Sequence, residues 1–150
     1  MLRRLQTVTN KNIDGQMKAN VAMTRGMLVQ KDYANGKAIM PASQVNLFWV
    51  DRDVQATGLM SYEGEISDYD TRLETIALGD FVQLEKPLSG ERFATDQFVA
   101  TSLTADCYVE VSIADDATLG KVIYKSSASP YKYVGVYTDN GVTMALIEVV

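Results

Sequence analysis

Tyr131-Lys132-Tyr133-Val134-Gly135-Val136-Tyr137, then Thr138-Asp139-Asn140-Gly141, then Val142-Thr143-Met144-Ala145-Leu146-Ile147-Glu148-Val149-Val150 is the stretch that decides the fold class. Its two runs are rich in aromatic and β-branched residues, which suit a pleated, half-buried surface. Asn-Gly between them tolerates the positive φ that a tight turn demands, so the stretch reads as a β-hairpin. Tyr131, Tyr133 and Tyr137 share parity and on a regular strand project from one face. Aromatics so placed pack across strands or furnish a protein–protein contact; core packing is the preferred reading.

The same logic extends upstream. Cys107, Val109, Val111 and Ile113 alternate with Tyr108, Glu110 and Ser112, the period-two signature of a half-buried strand. Gly120–Tyr124 is a further short strand. Phe81–Glu85 is a strand halted before Pro87, and Leu88-Ser89-Gly90 is a turn. Val45–Val50, the most apolar segment, predicts a central strand with Trp49 in the core. Met27-Leu28-Val29 and Lys37–Met40 pair antiparallel across a turn at Asp32–Gly36 that ends in Asn35-Gly36. Arg92–Val99 fits either a helical turn or a strand. Two short helices are expected. One lies around Gln16–Met23. The other, at Asp70–Leu78, is capped by Asp70, shares Leu73, Ile76 and Ala77 on one face, and ends at Gly79.

Eight or nine short strands with no βαβ alternation and minor α content predict an all-β fold, an antiparallel β-barrel or β-sandwich. Residues 1–25, polar and weakly patterned, read as an extended N-terminal arm; residues 26–150 read as a single β domain. The length of 150 residues suits one core of real size. There is no internal repeat and no low-complexity tract.

The chain contains no histidine and one cysteine, Cys107. Histidine titrates near neutral pH without tuning and is the commonest general base and metal ligand. Its absence removes Ser-His-Asp and Cys-His hydrolases, the usual zinc sites and most proton shuttles. Cys107 sits on the apolar face of its strand, where a buried, inert thiol is expected. A single Cys makes no internal disulfide, and no apolar run approaches the length of a membrane span. Charge near Met1–Gln6 without an apolar stretch behind it argues against a signal peptide. The expected setting is therefore a reducing cytosol, or something assembled there, with no membrane partner.

Candidate chemistry is sparse. Glu63 and Glu65, then Asp68 and Asp70, are carboxylates two apart, the pairing a glycosidase uses; Tyr62 and Tyr69 are the aromatics nearby, and a solvated acidic loop is the preferred reading. Asp68-Tyr69-Asp70 resembles the start of a calcium loop. The sixth and twelfth positions are Leu73 and Gly79 where glycine and glutamate belong, so the match fails. Asp51-Arg52-Asp53 and Asp115-Asp116 fail similarly. Neither GxGxxG nor GxxxxGK[ST] occurs. No catalytic residue, cofactor or metal site is expected.

Charge is unevenly spread along a chain of net −5. Residues 1–50 carry seven Lys/Arg and two acids, residues 51–75 two and seven, and residues 76–150 five and ten. A basic leading segment suits an acidic partner, or pairs with the acidic remainder inside the fold. Its cations are scattered and not interleaved with aromatics before Tyr33, so nucleic acid is not an expected partner.

Five stretches carry a family resemblance: Lys18-Ala19-Asn20-Val21-Ala22 before Gly26-Met27-Leu28-Val29; Asn35-Gly36 leading to Ile39-Met40-Pro41; Gly79-Asp80-Phe81-Val82; Gly90-Glu91-Arg92-Phe93-Ala94-Thr95; and the apolar C-terminal strand. Their order over residues 18–150 resembles that of capsid decoration, or cement, proteins of tailed bacteriophages. The resemblance implies a β-barrel or β-sandwich on the outer surface of the head, with the major capsid protein as partner. It further implies self-association as a trimer or dimer on the lattice, and no catalysis.

Within that expectation the basic arm is the docking element, with Arg3, Arg4, Lys11, Lys18 and Arg25 as cations and Leu2 and Leu5 as apolar anchors. Deleting residues 2–17 is then expected to abolish capsid binding and leave the domain folded. A head–tail joining, tail or head-fibre base protein is the alternative, distinguished by copy number. A carbohydrate-binding module is disfavoured because Trp49 lies in an apolar run.

Overall fold

The computed structural model describes residues 1–6, 13–52 and 74–150. It is all-β. The strands are β1 (Leu2–Gln6), β2 (Ile13–Ala19), β3 (Met23–Thr24), β4 (Leu28–Asp32), β5 (Lys37–Ile39), β6 (Phe48–Asp51), β7 (Thr75–Ile76), β8 (Phe81–Glu85), β9 (Arg92–Thr95), β10 (Tyr108–Val111), β11 (Val122–Lys125), β12 (Tyr131–Asp139) and β13 (Val142–Val149). Five of them close a barrel in the order β2-β5-β4-β6-β8. Six form an antiparallel sheet in the order β1-β9-β13-β12-β10-β11. A small ladder joins β3 to β7.

Strict alternation explains how the two layers share a wall. Phe48 and Val50 point into the barrel with Val29, Val82 and Leu84. Leu47 and Trp49, one residue out of phase, meet Leu28, Phe93, Val109, Tyr131, Tyr133 and Ile147 between barrel and sheet. The apolar run at 47–50 is continuous because both faces of the chain are buried there, as a core strand requires. Trp49 and Phe93 carry the contact between layers, with ring centroids 5.5 Å apart and planes 39° off parallel. Burying such rings contributes about 2–3 kcal/mol each. The Gln44 side chain adds a polar tie: its amide donates to Val111 O (2.7 Å) and accepts from Val111 N (3.2 Å).

The 131–150 hairpin forms as expected, with Asn140 (φ +47°) and Gly141 (φ +81°) in the turn. One feature of it differs. The register slips between Tyr133 and Gly135, inserting one residue into β12. Tyr131 and Tyr133 enter the interlayer core, whereas Tyr137 packs on the opposite face with Met1, Ala94, Met144 and Val142.

Burial pushes the Tyr131 phenol up to about 12. Its folded value lies above the free-chain value near 10, so the associated stability is present below about pH 10 and lost as pH rises toward 12. Tyr131→Phe is expected to remove about 2 kcal/mol of this alkaline loss in urea unfolding at pH 8 and 11.5. An unchanged difference between the two pH values contradicts it.

Neither expected helix is found among the described residues. Gln16–Met23 is instead covered by β2 and the segment after it, because Met17 and Ala19 alternate with Lys18 and feed the barrel interior. Of Asp70–Leu78, residues 70–73 lie outside the described residues and Thr75–Ile76 is strand. No break falls at residue 25: Gly26 N donates to Val50 O and Arg25 N to Glu74 O. The leading segment is extended, but its described residues are strands of both layers. Removing residues 2–17 takes away a sheet edge and a barrel stave, so that deletion is expected to unfold the protein.

Candidate functional site

The structure divides the seven residues expected to dock a partner. Leu2 is buried between the layers. Arg3 pairs with Asp139 at the hairpin end. Arg4 reaches across from β1 to the barrel, its Nη2 2.5 Å from Asp51 Oδ2 and its Nε donating to Glu85. Arg25 Nε donates to Asp51 Oδ1 at 2.9 Å, and its Nη1 lies 3.6 Å from Glu74 Oε1. Lys11 lies outside the described residues. Leu5 and Lys18 are exposed.

Arg4, Arg25, Asp51, Glu74 and Glu85 thus form an ionic seam at one end of the interlayer core. Arg25, Asp51 and Glu85 are each at most 3% exposed. Burial opposes the charge on Arg4, and Asp51 and Glu85 outweigh it, so the guanidinium is held charged more firmly than usual. Such charges persist in the interior because they are ion-paired, and the Arg4, Asp51, Glu85 and Arg25 Nε groups are hydrogen-bonded as well. The seam serves the fold: each carboxylate faces a guanidinium, which suits cohesion.

Cys107 is half-buried against the core. Trp49 is fully buried. Glu63, Glu65, Asp68 and Asp70 lie outside the described residues. Among the described residues no three His, Cys, Asp or Glu side chains converge as a metal site would require, and no helix is long and apolar enough to cross a membrane.

What the described surface does offer is the outer wall of the barrel. Phe81 on β8, Lys18 on β2 and Lys37 on β5 lie side by side across three neighbouring strands. Their neighbours Val82, Met17, Ala19 and Ala38 point into the barrel, which turns these three outward. Phe81 is 62% exposed, and Lys18 Nζ sits 5.1 Å from its ring centroid. Val21 and Leu78, also exposed, flank the row on segments joined by Gly79 N→Ala19 O and Ala19 N→Asp80 O bonds. Beside Phe81 an open groove of about 300 Å³ is lined by Gly15, Arg52, Val82 and Gln83.

Of these wall residues, Lys18 alone was expected at a docking site. Phe81 was missed although its strand announces it: Val82 and Leu84 point inward, so Phe81 shares the polar face with Gln83. Compared with protein families, curated proteins and solved structures, the chain finds no match in any of the three.

Proposed function

We propose that the chain is a structural virion protein that binds the outer surface of a phage head as a decoration, or cement, protein and stabilises the shell. The resemblance over residues 18–150 motivates the reading. The observation that carries it is the division of labour in the fold: Arg4 of the sheet pairs with Asp51 and Glu85 of the barrel and ties the two layers, while a row of apolar and basic side chains faces solvent. A rigid body with a docking face is what reinforcement of a lattice requires. On this reading the partner is the major capsid protein, copies associate as dimers or trimers on the lattice, and no catalytic step is involved.

The mechanism is additive burial. Each copy bridges neighbouring shell subunits and favours the assembled lattice by mass action. Weak contacts repeated over many copies sum through multivalency. The test is co-sedimentation of purified protein with phage heads from the same source prepared without it, counting copies per head. Hundreds of copies, with heads that resist disruption better when occupied, are expected. A dozen copies at one vertex would replace the reading with a joining or tail role, and no binding would remove it.

A further inference from the structure

We propose that the barrel wall formed by Phe81, Lys18 and Lys37, flanked by Val21 and Leu78, is the surface that docks on the shell, and that it meets an acidic patch bearing an apolar side chain. This inference rests on the decoration reading and moves its contact from the arginines of the leading segment to the barrel wall, where Lys18 is kept.

Three observations favour that occupant. First, three of the leading segment's five cations are already engaged within the fold: Arg3 with Asp139, Arg4 with Asp51 and Glu85, Arg25 with Asp51 and Glu74. Lys18 has no carboxylate partner among the described residues; its contact there is with the Phe81 ring.

Second, Lys18 and Lys37 are direct Cα partners on parallel strands. Like charges so placed oppose folding slightly. Asp32, in register with Lys37 on the far side, offsets part of this but is itself hydrogen-bonded to Ala34 and Asn35 in its own turn. An external carboxylate facing this part of the wall would offset the two positive charges.

Third, the chain as a whole is acidic, at net −5, whereas the outward row itself holds Lys18 and Lys37, with Asp80 and Asp32 at its margins. A second copy docking wall to wall would set Lys18 and Lys37 against themselves, since a two-fold contact uses the same patch on both sides. The wall therefore suits a different, acidic surface. Phe81 supplies the apolar anchor, and aromatic anchors ringed by polar groups are where binding energy concentrates. Charge complementarity adds encounter rate and register.

The experiment uses the full chain and the same phage heads. Lys18→Glu with Lys37→Glu in one variant and Phe81→Ser in another are compared with wild type and with Val136→Ser, an exposed site on the β12 strand. All are first checked for the wild-type circular dichroism spectrum. The expected result is at least a tenfold loss of affinity for heads in both wall variants, wild-type binding by Val136→Ser, and wild-type binding that weakens with added salt. If Phe81→Ser fails to fold, the charge reversal carries the test, because both lysines are solvent-facing. Wild-type binding by the wall variants overturns the docking wall and leaves decoration standing. Failure of the wild type itself to bind heads overturns decoration, and the docking wall with it.

Discussion

Asp51→Ala is expected to lower the free energy of unfolding by about 3–5 kcal/mol, the usual cost of removing one member of a buried ion pair. Asp51 is 2% exposed and holds three donors: Arg25 Nε and Arg52 N on Oδ1, and Arg4 Nη2 on Oδ2. Its loss leaves Arg25 buried without its Nε partner and frees Arg4 from one of its two carboxylates. The cost follows from stranding charge in a buried part of the seam, since the attraction itself is largely offset by desolvation. Glu110→Ala, which breaks the partly exposed Lys125–Glu110 pair of 2.6 Å, is expected to cost less than about 1 kcal/mol. Urea unfolding of the two variants decides the matter. An Asp51→Ala protein within 1 kcal/mol of wild type would mean that the seam contributes nothing to cohesion.

Gly26→Ala carries the second large effect. Gly26 has φ +88°, a backbone that L side chains rarely adopt, and an added Cβ would stand 2.4 Å from Thr95 Oγ1 and 2.7 Å from Met1 O. Thr95 cannot simply retreat, because it is fully buried and its hydroxyl donates to Gly26 O at 2.8 Å. Positive φ costs about 1–2 kcal/mol and overpacking about 1–3 more. A total of about 2–5 kcal/mol is a large part of a typical domain's stability. Gly36→Ala isolates the first of these costs: φ there is +62° with nothing within 4 Å, so about 1–2 kcal/mol is expected. Thermal melts should rank wild type, Gly36→Ala and Gly26→Ala in that order. Equal melting of the two variants would show that the close approach of β9 to Gly26 is relaxed in solution.

Local signals were legible where neighbours in sequence decide the outcome. Asn140-Gly141 sets its hairpin, Phe81–Glu85 stops before Pro87, and Val109 and Val111 face the core as their alternation requires. The continuous apolar run ending at Val50 marked a strand buried on both sides. The unread parts depend on distant partners. One residue inserted after Tyr133 reverses the parity of Tyr137, and nothing local to Tyr131–Tyr137 announces it. The period-two pattern of Met17-Lys18-Ala19 is short and follows Asp14-Gly15, so a helix looked as good until the barrel claimed its apolar side. The seam was illegible because Arg4 meets residues 47 and 81 positions away. The charge imbalance between chain ends was visible; its resolution as internal pairing for Arg3, Arg4 and Arg25 needed the fold. The same fold separates Lys18 from those arginines and sets it beside Phe81.

The pairing of β1 with β9 has a consequence for the life of the newly made chain. Leu2 is the first residue of its strand, yet its partner is Thr95. At about 5–20 residues per second of synthesis, the leading strand waits roughly 5–19 s for that partner to be made. Barrel closure needs β8, which is made only shortly before β9, and long-range strand pairings of this kind slow folding further. During that interval β1 is a bare edge carrying Leu2 and Leu5, the sort of template on which chains aggregate. Arg3 and Arg4 between those leucines are then gatekeepers: before Arg3 pairs with Asp139 and Arg4 with the barrel, their charge keeps one nascent strand from pairing with another.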